Sequence, residues 1–121
     1  MSKYQVVDPS QAVNDLNEME FSTLATFNNG PLGVFWSEAG GPGPWEMHPD
    51  SDEILHVIEG RIEIEICPED KSQPFDKVQV GSGSYLVVPK GLWHRHTMMA
   101  KTKEMYLSPS NTLHSHEPDP R

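Results

Sequence analysis

Apolar and polar residues alternate with a period of two along much of the chain, which is typical of strands that bury one face. The clearest example is residues 61–67, where three isoleucines alternate with Glu63 and Glu65. Turn-forming residues such as Asn29-Gly30 separate this segment and others like it. The pattern predicts strands at residues 21–27, 33–38, 45–48, 53–58, 61–67, 76–80, 85–88, 93–98 and 103–107.

Glycine and proline are spread along the whole chain, with nine and eleven copies among 121 residues. Short strands separated by frequent turns favour an all-β sandwich or barrel. We expect one domain with an N-terminal arm at residues 1–20, which makes about two helical turns after Pro9. The barrel is predicted at residues 21–107. Residues 108–121 hold three prolines and few apolar residues, and are expected to be a flexible C-terminal tail.

The charge of the chain narrows the classes of function. Eighteen Asp and Glu against nine Lys and Arg give a net charge of −9, the opposite of a nucleic-acid module. The absence of a run of about 18 apolar residues argues against a membrane span. The first residues lack the apolar core of a secretory signal, and one cysteine, Cys67, cannot form an internal disulfide. We therefore expect a cytoplasmic protein with no nucleic-acid or membrane partner.

Two separated segments carry the residues with metal-binding chemistry. Glu46 and His48 lie two apart on a predicted strand, so both side chains leave the same face. The turn at residues 49–52 then brings Glu53 back towards them, and His94 follows a second turn some forty residues later. Two imidazoles and two carboxylates suit a divalent transition metal such as Fe, Mn, Ni or Zn.

The spacing of these segments resembles the paired motifs of the cupin superfamily. The first reads Gly40-x5-Glu46-x-His48-x4-Glu53-x6-Gly60, and the second reads Gly83-x5-Pro89-x-Gly91-x2-His94. The resemblance implies a double-stranded β-helix, or jelly-roll, that pairs as a homodimer, with His48, Glu53 and His94 at ligand positions. Glu46 stands where the family pattern has the first histidine, and Met98 where it has the closing asparagine.

Several roles stay open from the residues alone. Glu46 could ligate a metal, act as a general base or hydrogen-bond the barrel rim. His96 shares the face of His94 and is either a reserve ligand, a proton carrier or a core histidine. Asp52 is the rival of Glu53, since a slip of one residue would exchange them. In the expected tail, His114 and His116 are most simply solvated side chains.

An apolar substrate cavity around the metal is expected to be lined by Phe35, Trp45, Leu55 and Met98. The first hypothesis is a metal-dependent enzyme acting on a small oxygen-bearing organic molecule, either as an isomerase, lyase or cyclase or as a dioxygenase. Glu46 and His96 are its candidate proton-transfer residues. The alternatives are a non-catalytic module that binds a small ligand, and a cupin whose metal site is vacant.

Overall fold

The computed structural model describes residues 4–121. A short helix, α1, spans Pro9–Ala12 and is followed by a 3-10 turn at Val13–Asp15. The remainder of the described chain is built of strands joined by turns and loops. The strands are β1 (Ser22–Phe27), β2 (Gly30–Ser37), β3 (Trp45–Met47), β4 (Glu53–Glu59), β5 (Arg61–Ile66), β6 (Asp76–Gly81), β7 (Tyr85–Val88), β8 (His94–Met98), β9 (Thr102–Leu107) and β10 (Leu113–Ser115).

The strands form two five-stranded sheets in which neighbouring strands are antiparallel. The first sheet has the order β1-β2-β9-β4-β7 and the second the order β10-β3-β8-β5-β6. Successive strands such as β4 and β5 lie in different sheets, so the chain passes repeatedly from one sheet to the other. The predicted all-β jelly-roll is therefore confirmed. Within residues 4–121, no helix is long and apolar enough to cross a membrane.

The hydrophobic core lies between the two sheets. The isoleucines of β5 point inwards, and Ile62 and Ile64 have no exposed surface. They pack with Leu55 and Val57 from β4 in the other sheet. This arrangement confirms the alternation read from residues 61–67, because each inward isoleucine is separated from the next by an outward glutamate.

Gly60 makes the tight passage from β4 in the first sheet to β5 in the second. Its φ is +116°, a left-handed value that residues with a side chain rarely adopt. A Cβ at this position would also lie 2.6 Å from the carbonyl oxygen of Lys101. The turn thus requires glycine.

The C-terminal segment, residues 108–121, differs from the expected flexible tail. Leu113–Ser115 pair with β3 as the edge strand of the second sheet. Further along, the Arg121 guanidinium donates hydrogen bonds to the carbonyl oxygens of Pro68, Asp70 and Gln73. Backbone pairing with β3 and the hydrogen bonds of Arg121 hold this segment in place. Neither requires alternating apolar residues, so the sequence pattern did not predict it.

Candidate metal centre

Four potential metal ligands meet at one end of the barrel. Glu46 lies in β3 and His48 directly after it, Glu53 begins β4, and His94 begins β8. The pairing of β3 with β8 sets Glu46 opposite His94. Each of the four side chains offers one ligand atom, and these atoms lie within 4.8 Å of one another. The structure therefore brings together all four residues that the sequence predicted as a metal site.

The carboxylate of Glu53 stands between the two histidines. Its Oε2 lies 3.2 Å from Nε2 of His48, and its Oε1 lies 3.0 Å from Nε2 of His94. Burial by itself would raise the pKa of Glu53, but the close contact with His48 and the hydrogen bond with His94 outweigh it and hold the pKa well below its usual range. Glu53 is therefore ionised across the physiological pH range.

Contacts behind the histidines determine which ring nitrogen faces Glu53. Nδ1 of His94 lies 3.1 Å from the carbonyl oxygen of Leu92, which can only accept, so Nδ1 carries a proton. In the neutral ring, Nε2 then presents a lone pair to the ionised Glu53. Two acceptors at this distance require a cation between them, either a proton or a metal ion.

His48 has the same orientation towards the site. Its Nδ1 is hydrogen-bonded to Oγ1 of Thr112 at 2.9 Å, while its buried Nε2 has no hydrogen-bond partner of suitable geometry among the described residues. Burial acts to lower the pKa of His48, but the close, negatively charged carboxylate of Glu53 raises it overall. An unpartnered buried nitrogen beside an ionised carboxylate fits a cation-binding site.

Asp52, the rival of Glu53, lies outside this cluster. It is exposed, and its Oδ1 accepts a hydrogen bond of 2.9 Å from the backbone N–H of Lys90. The carboxylate that the motif spacing selected is thus the one that the structure places among the histidines.

Three of the four residues, Glu46, His48 and Glu53, line a cavity of about 560 Å³. Phe35, Leu55 and Met98 line it, as the sequence predicted. Trp45 is a correction. It has the opposite parity to Glu46 on β3 and packs instead against Phe75, with ring centroids 5.0 Å apart, beneath the Arg95 guanidinium.

His96 lines the cavity next to this cluster. Its Nε2 lies 3.5 Å from Oε2 of Glu104, a carboxylate with only 1 % exposure. Burial by itself would lower the pKa of His96, but the nearby charge of Glu104 outweighs it and raises the pKa to about 9. The ring of His96 is therefore protonated at neutral pH.

Sequence reasoning missed several side chains at this site. Glu104 and Tyr106 share the inner face of β9, and the only available signal was their shared parity with the buried Thr102. Ser108 donates a hydrogen bond to Glu53, and Nε2 of His114 lies 3.6 Å from Oε1 of Glu46. These two residues fall in the segment expected to be a flexible tail, so the pattern gave no reason to place them here.

Comparison with known proteins agrees with this geometry. A family model described as "Cupin domain" matches residues 34–109. A cupin-2 domain containing protein from Shewanella frigidimarina has a TM-score of 0.68 at 24 % identity, over 86 % of this chain and 94 % of the other. No curated protein matches the chain.

Two further solved structures share the fold at lower identity. BH2720 from Bacillus halodurans has a TM-score of 0.69 at 20 % identity, over 88 % of this chain and 83 % of the other. Hydroquinone 1,2-dioxygenase from Sphingomonas sp. TTNP3 has a TM-score of 0.65 at 11 % identity, over 90 % and 83 %. Each of these likenesses concerns the fold alone.

Proposed function

The chain belongs to the cupin domain family, and on that premise we propose that it is a metal-binding enzyme acting on a small, oxygen-bearing organic substrate. The observation that carries the proposal is the arrangement of Nε2 of His94 and Nε2 of His48 around the ionised carboxylate of Glu53. With Glu46 added, the donor set is two nitrogens and two oxygens beside an open cavity. Such a set suits Fe, Mn, Ni or Zn.

Glu46, His48, Glu53 and His94 would hold the metal, which would supply Lewis-acid polarisation of a substrate oxygen. The cavity next to these residues leaves room for the substrate. Its walls include Phe35, Leu55 and Met98, which would bury the apolar part of the substrate and exclude water from the reacting end.

Two side chains are placed to handle protons in this cavity. His96 holds a proton on its ring, stabilised by Glu104, and could deliver it to a substrate atom on the cavity side. Glu46 is only half-buried and also lines the cavity, so it could either ligate the metal or remove a substrate proton. These roles support isomerisation, elimination or cyclisation, and dioxygenation is the redox variant if the metal is Fe(II).

One fold neighbour gives the redox variant a concrete form. The Sphingomonas protein is a hydroquinone 1,2-dioxygenase, and its fold spans 90 % of this chain. A dioxygenase reaction on a small oxygen-bearing ring is thus one activity to assay. Reversible binding without turnover is the alternative function of the same cavity.

Elemental analysis of the purified, untagged protein tests the proposal. We expect about one transition metal per chain, lost in His94→Ala and kept in His56→Ala. His56 is the matched control because it lies on β4 with the opposite parity to Glu53 and outside the cavity lining. Circular dichroism would verify that both variants fold. No metal after anaerobic reconstitution with Fe(II), Mn(II), Ni(II) and Zn(II) would overturn the proposal.

The identity of the metal directs the activity assay. Iron leads to measurement of oxygen uptake, and zinc, manganese or nickel leads to isomerase and lyase assays. If the protein binds a metal and small organic molecules but does not convert those molecules to product, the non-catalytic alternative is correct.

A further inference from the structure

Residues 18–21, at the junction of the N-terminal arm and the barrel, form part of the rim of the cavity, and Glu38 lies on the same rim. Met19 and Phe21 line it together with residues of the barrel. The arm is fixed to β2, since the backbone N–H of Met19 donates to the carbonyl of Trp36 at 2.9 Å and the Trp36 indole N–H donates to the carbonyl of Leu16 at 2.6 Å. The rim is thus a defined surface.

Two features of this rim point to ligand contact. Met19 has a φ of +59°, a left-handed backbone value that is rare outside glycine and asparagine. Met19 and Phe21 are also both 53 % exposed, although their side chains are large and apolar. Left-handed backbone and exposed apolar groups beside a cavity both concentrate at binding sites.

Behind the rim stands a wall of aromatic rings. The ring of Phe21 stacks on that of Phe35 with centroids 4.4 Å apart and planes inclined by 25°. Tyr106 completes the group, with its ring centroid 6.0 Å from Phe21 and 6.1 Å from Phe35. Gly33 leaves room for it, because a Cβ there would lie 2.6 Å from Cζ of Tyr106. The stack is therefore an apolar surface suited to another planar ring.

The charged groups around the cavity are almost all acidic. Among the described residues that line it, there is no lysine or arginine. His48 and His96 each lie next to a carboxylate that offsets their charge. The acidic lining residues are Glu18, Glu38, Glu46, Glu53 and Glu104. An anionic ligand would enter against this field, whereas a neutral or cationic one would not.

We infer that the cavity selects a planar, apolar ring compound without negative charge, with Met19 and Phe21 contacting the ring and the rim glutamates Glu18 and Glu38 repelling anions. The inference deepens the proposed function, since it names the class of substrate. The aromatic wall does not depend on a metal, and the charge selection rests on Glu18 and Glu38, which line the cavity but lie outside the four candidate ligands. Ring binding and charge selection can therefore be measured separately from metal content.

Three probes with the same ring and different charge test the selection. Benzyl alcohol, benzylamine and benzoate would be titrated into the full-length protein before and after a chelator removes any bound metal, and binding measured by ligand-observed NMR. The chelator-treated protein decides the charge selection, because a bound metal could coordinate the carboxylate of benzoate directly. Benzyl alcohol and benzylamine are expected to bind, and benzoate to bind about tenfold more weakly or less. Equal or tighter binding of benzoate, or no binding of any probe, would overturn the inference.

Substitutions of rim residues test whether the rim causes the selection for an aromatic ring and against negative charge. Phe21→Ala should weaken benzyl alcohol binding by roughly two- to tenfold. Phe27→Ala is the control, because Phe27 is 59 % exposed but lies outside the cavity lining. The Glu18→Gln, Glu38→Gln double variant should bind benzoate more tightly than the wild type, whereas Glu69→Gln, in an exposed loop, should not. An unchanged Phe21→Ala or an unchanged double variant contradicts the inference.

The outcomes separate this inference from the proposed function. If the protein holds no metal but binds the probes in the expected order, the ring selectivity is supported and the proposed metal-dependent function is wrong. If the protein holds metal but still prefers benzoate after the metal has been removed, the metal site stands and the charge selection is wrong.

Discussion

Oγ1 of Thr112 lies 2.9 Å from Nδ1 of His48, on the side of the ring that faces away from Glu53. Thr112 immediately precedes β10, so the C-terminal segment holds a candidate metal ligand from behind. Partners of this kind fix the tautomer and orientation of a ligating histidine, and so tune its affinity for the metal. The contact joins residues 64 positions apart in the chain.

This contact predicts that Thr112→Val weakens metal binding, since valine keeps the shape of threonine but lacks the hydroxyl. The expected loss is about ten- to a hundredfold, and Thr112→Ser should restore most of it. Calorimetric titration of the metal-free protein with Zn²⁺ would measure the change. Thr97→Val, on the outward face of β8, is the control. Equal affinity of Thr112→Val and the wild type would show that Thr112 does not position His48.

The His96–Glu104 pair predicts a pH dependence of stability in the metal-free protein. The pKa of His96 is raised to about 9 in the folded state and is about 6.5 when unfolded. The folded chain therefore binds more protons between these values, so the stabilisation is complete below pH ~6.5 and is lost as the pH rises towards ~9.

Thermal unfolding of the chelator-treated protein from pH 6 to pH 9.5 would measure this loss as a falling Tm. Glu104→Gln removes the charge that raises the pKa of His96, so its Tm should vary less over the same range. His56→Gln, outside the cavity, should keep the wild-type slope. A Tm of Glu104→Gln that falls as steeply as that of the wild type would contradict the assignment.

The sequence was sufficient for the features that depend on local periodicity. Strand β5 follows from alternating isoleucines and glutamates. The four candidate metal ligands follow from strand parity, the turns between them and the resemblance to the paired cupin motifs. Strand parity alone also predicts that Trp45 points away from the cavity, because a residue adjacent to Glu46 on a strand faces the other side of the sheet. The apolar character of Trp45 suggested a cavity wall, and the structure places it against Phe75 instead.

Other features depend on contacts between distant segments. The charge of Glu104 gives no sign that it is buried, and its position beside His96 becomes apparent only when β9 and β8 face each other across the barrel. Likewise, β10 is only three residues long and has one apolar side chain, Leu113, which is itself exposed. No periodic signal can arise in so short an edge strand, so its pairing with β3 had to be observed.

Ile64 tests the energetics of the core between the two sheets. It has no exposed surface and lies at the centre of β5, so Ile64→Ala should lower the free energy of unfolding by about 2–5 kcal/mol. Lys77→Ala on the neighbouring β6 is exposed and should change it by roughly 0.5 kcal/mol or less. Urea denaturation followed by circular dichroism would measure both. A loss for Ile64→Ala no larger than that for Lys77→Ala would contradict a core at this position.

Arg121 predicts that the C-terminal segment is held in place from its far end. Its guanidinium donates to the carbonyl oxygens of Pro68, Asp70 and Gln73 and lies 5.3 Å from the centroid of the Phe75 ring. Arg121→Ala removes all of these contacts at once. Leu113–Ser115 should then separate from β3 more often, because an edge strand of three residues has few backbone hydrogen bonds of its own.

Hydrogen exchange of the amides in Leu113–Ser115 would detect this opening as faster exchange in Arg121→Ala. Lys71→Ala is the control, because Lys71 is an exposed cation in the same loop region as the Arg121 acceptors. The opening should also weaken Zn²⁺ binding, since Thr112 leaves His48 when the segment moves. Faster exchange with unchanged Zn²⁺ affinity would mean that Arg121 anchors the strand without supporting the metal site, and unchanged exchange would mean that β10 is held by its pairing with β3 alone.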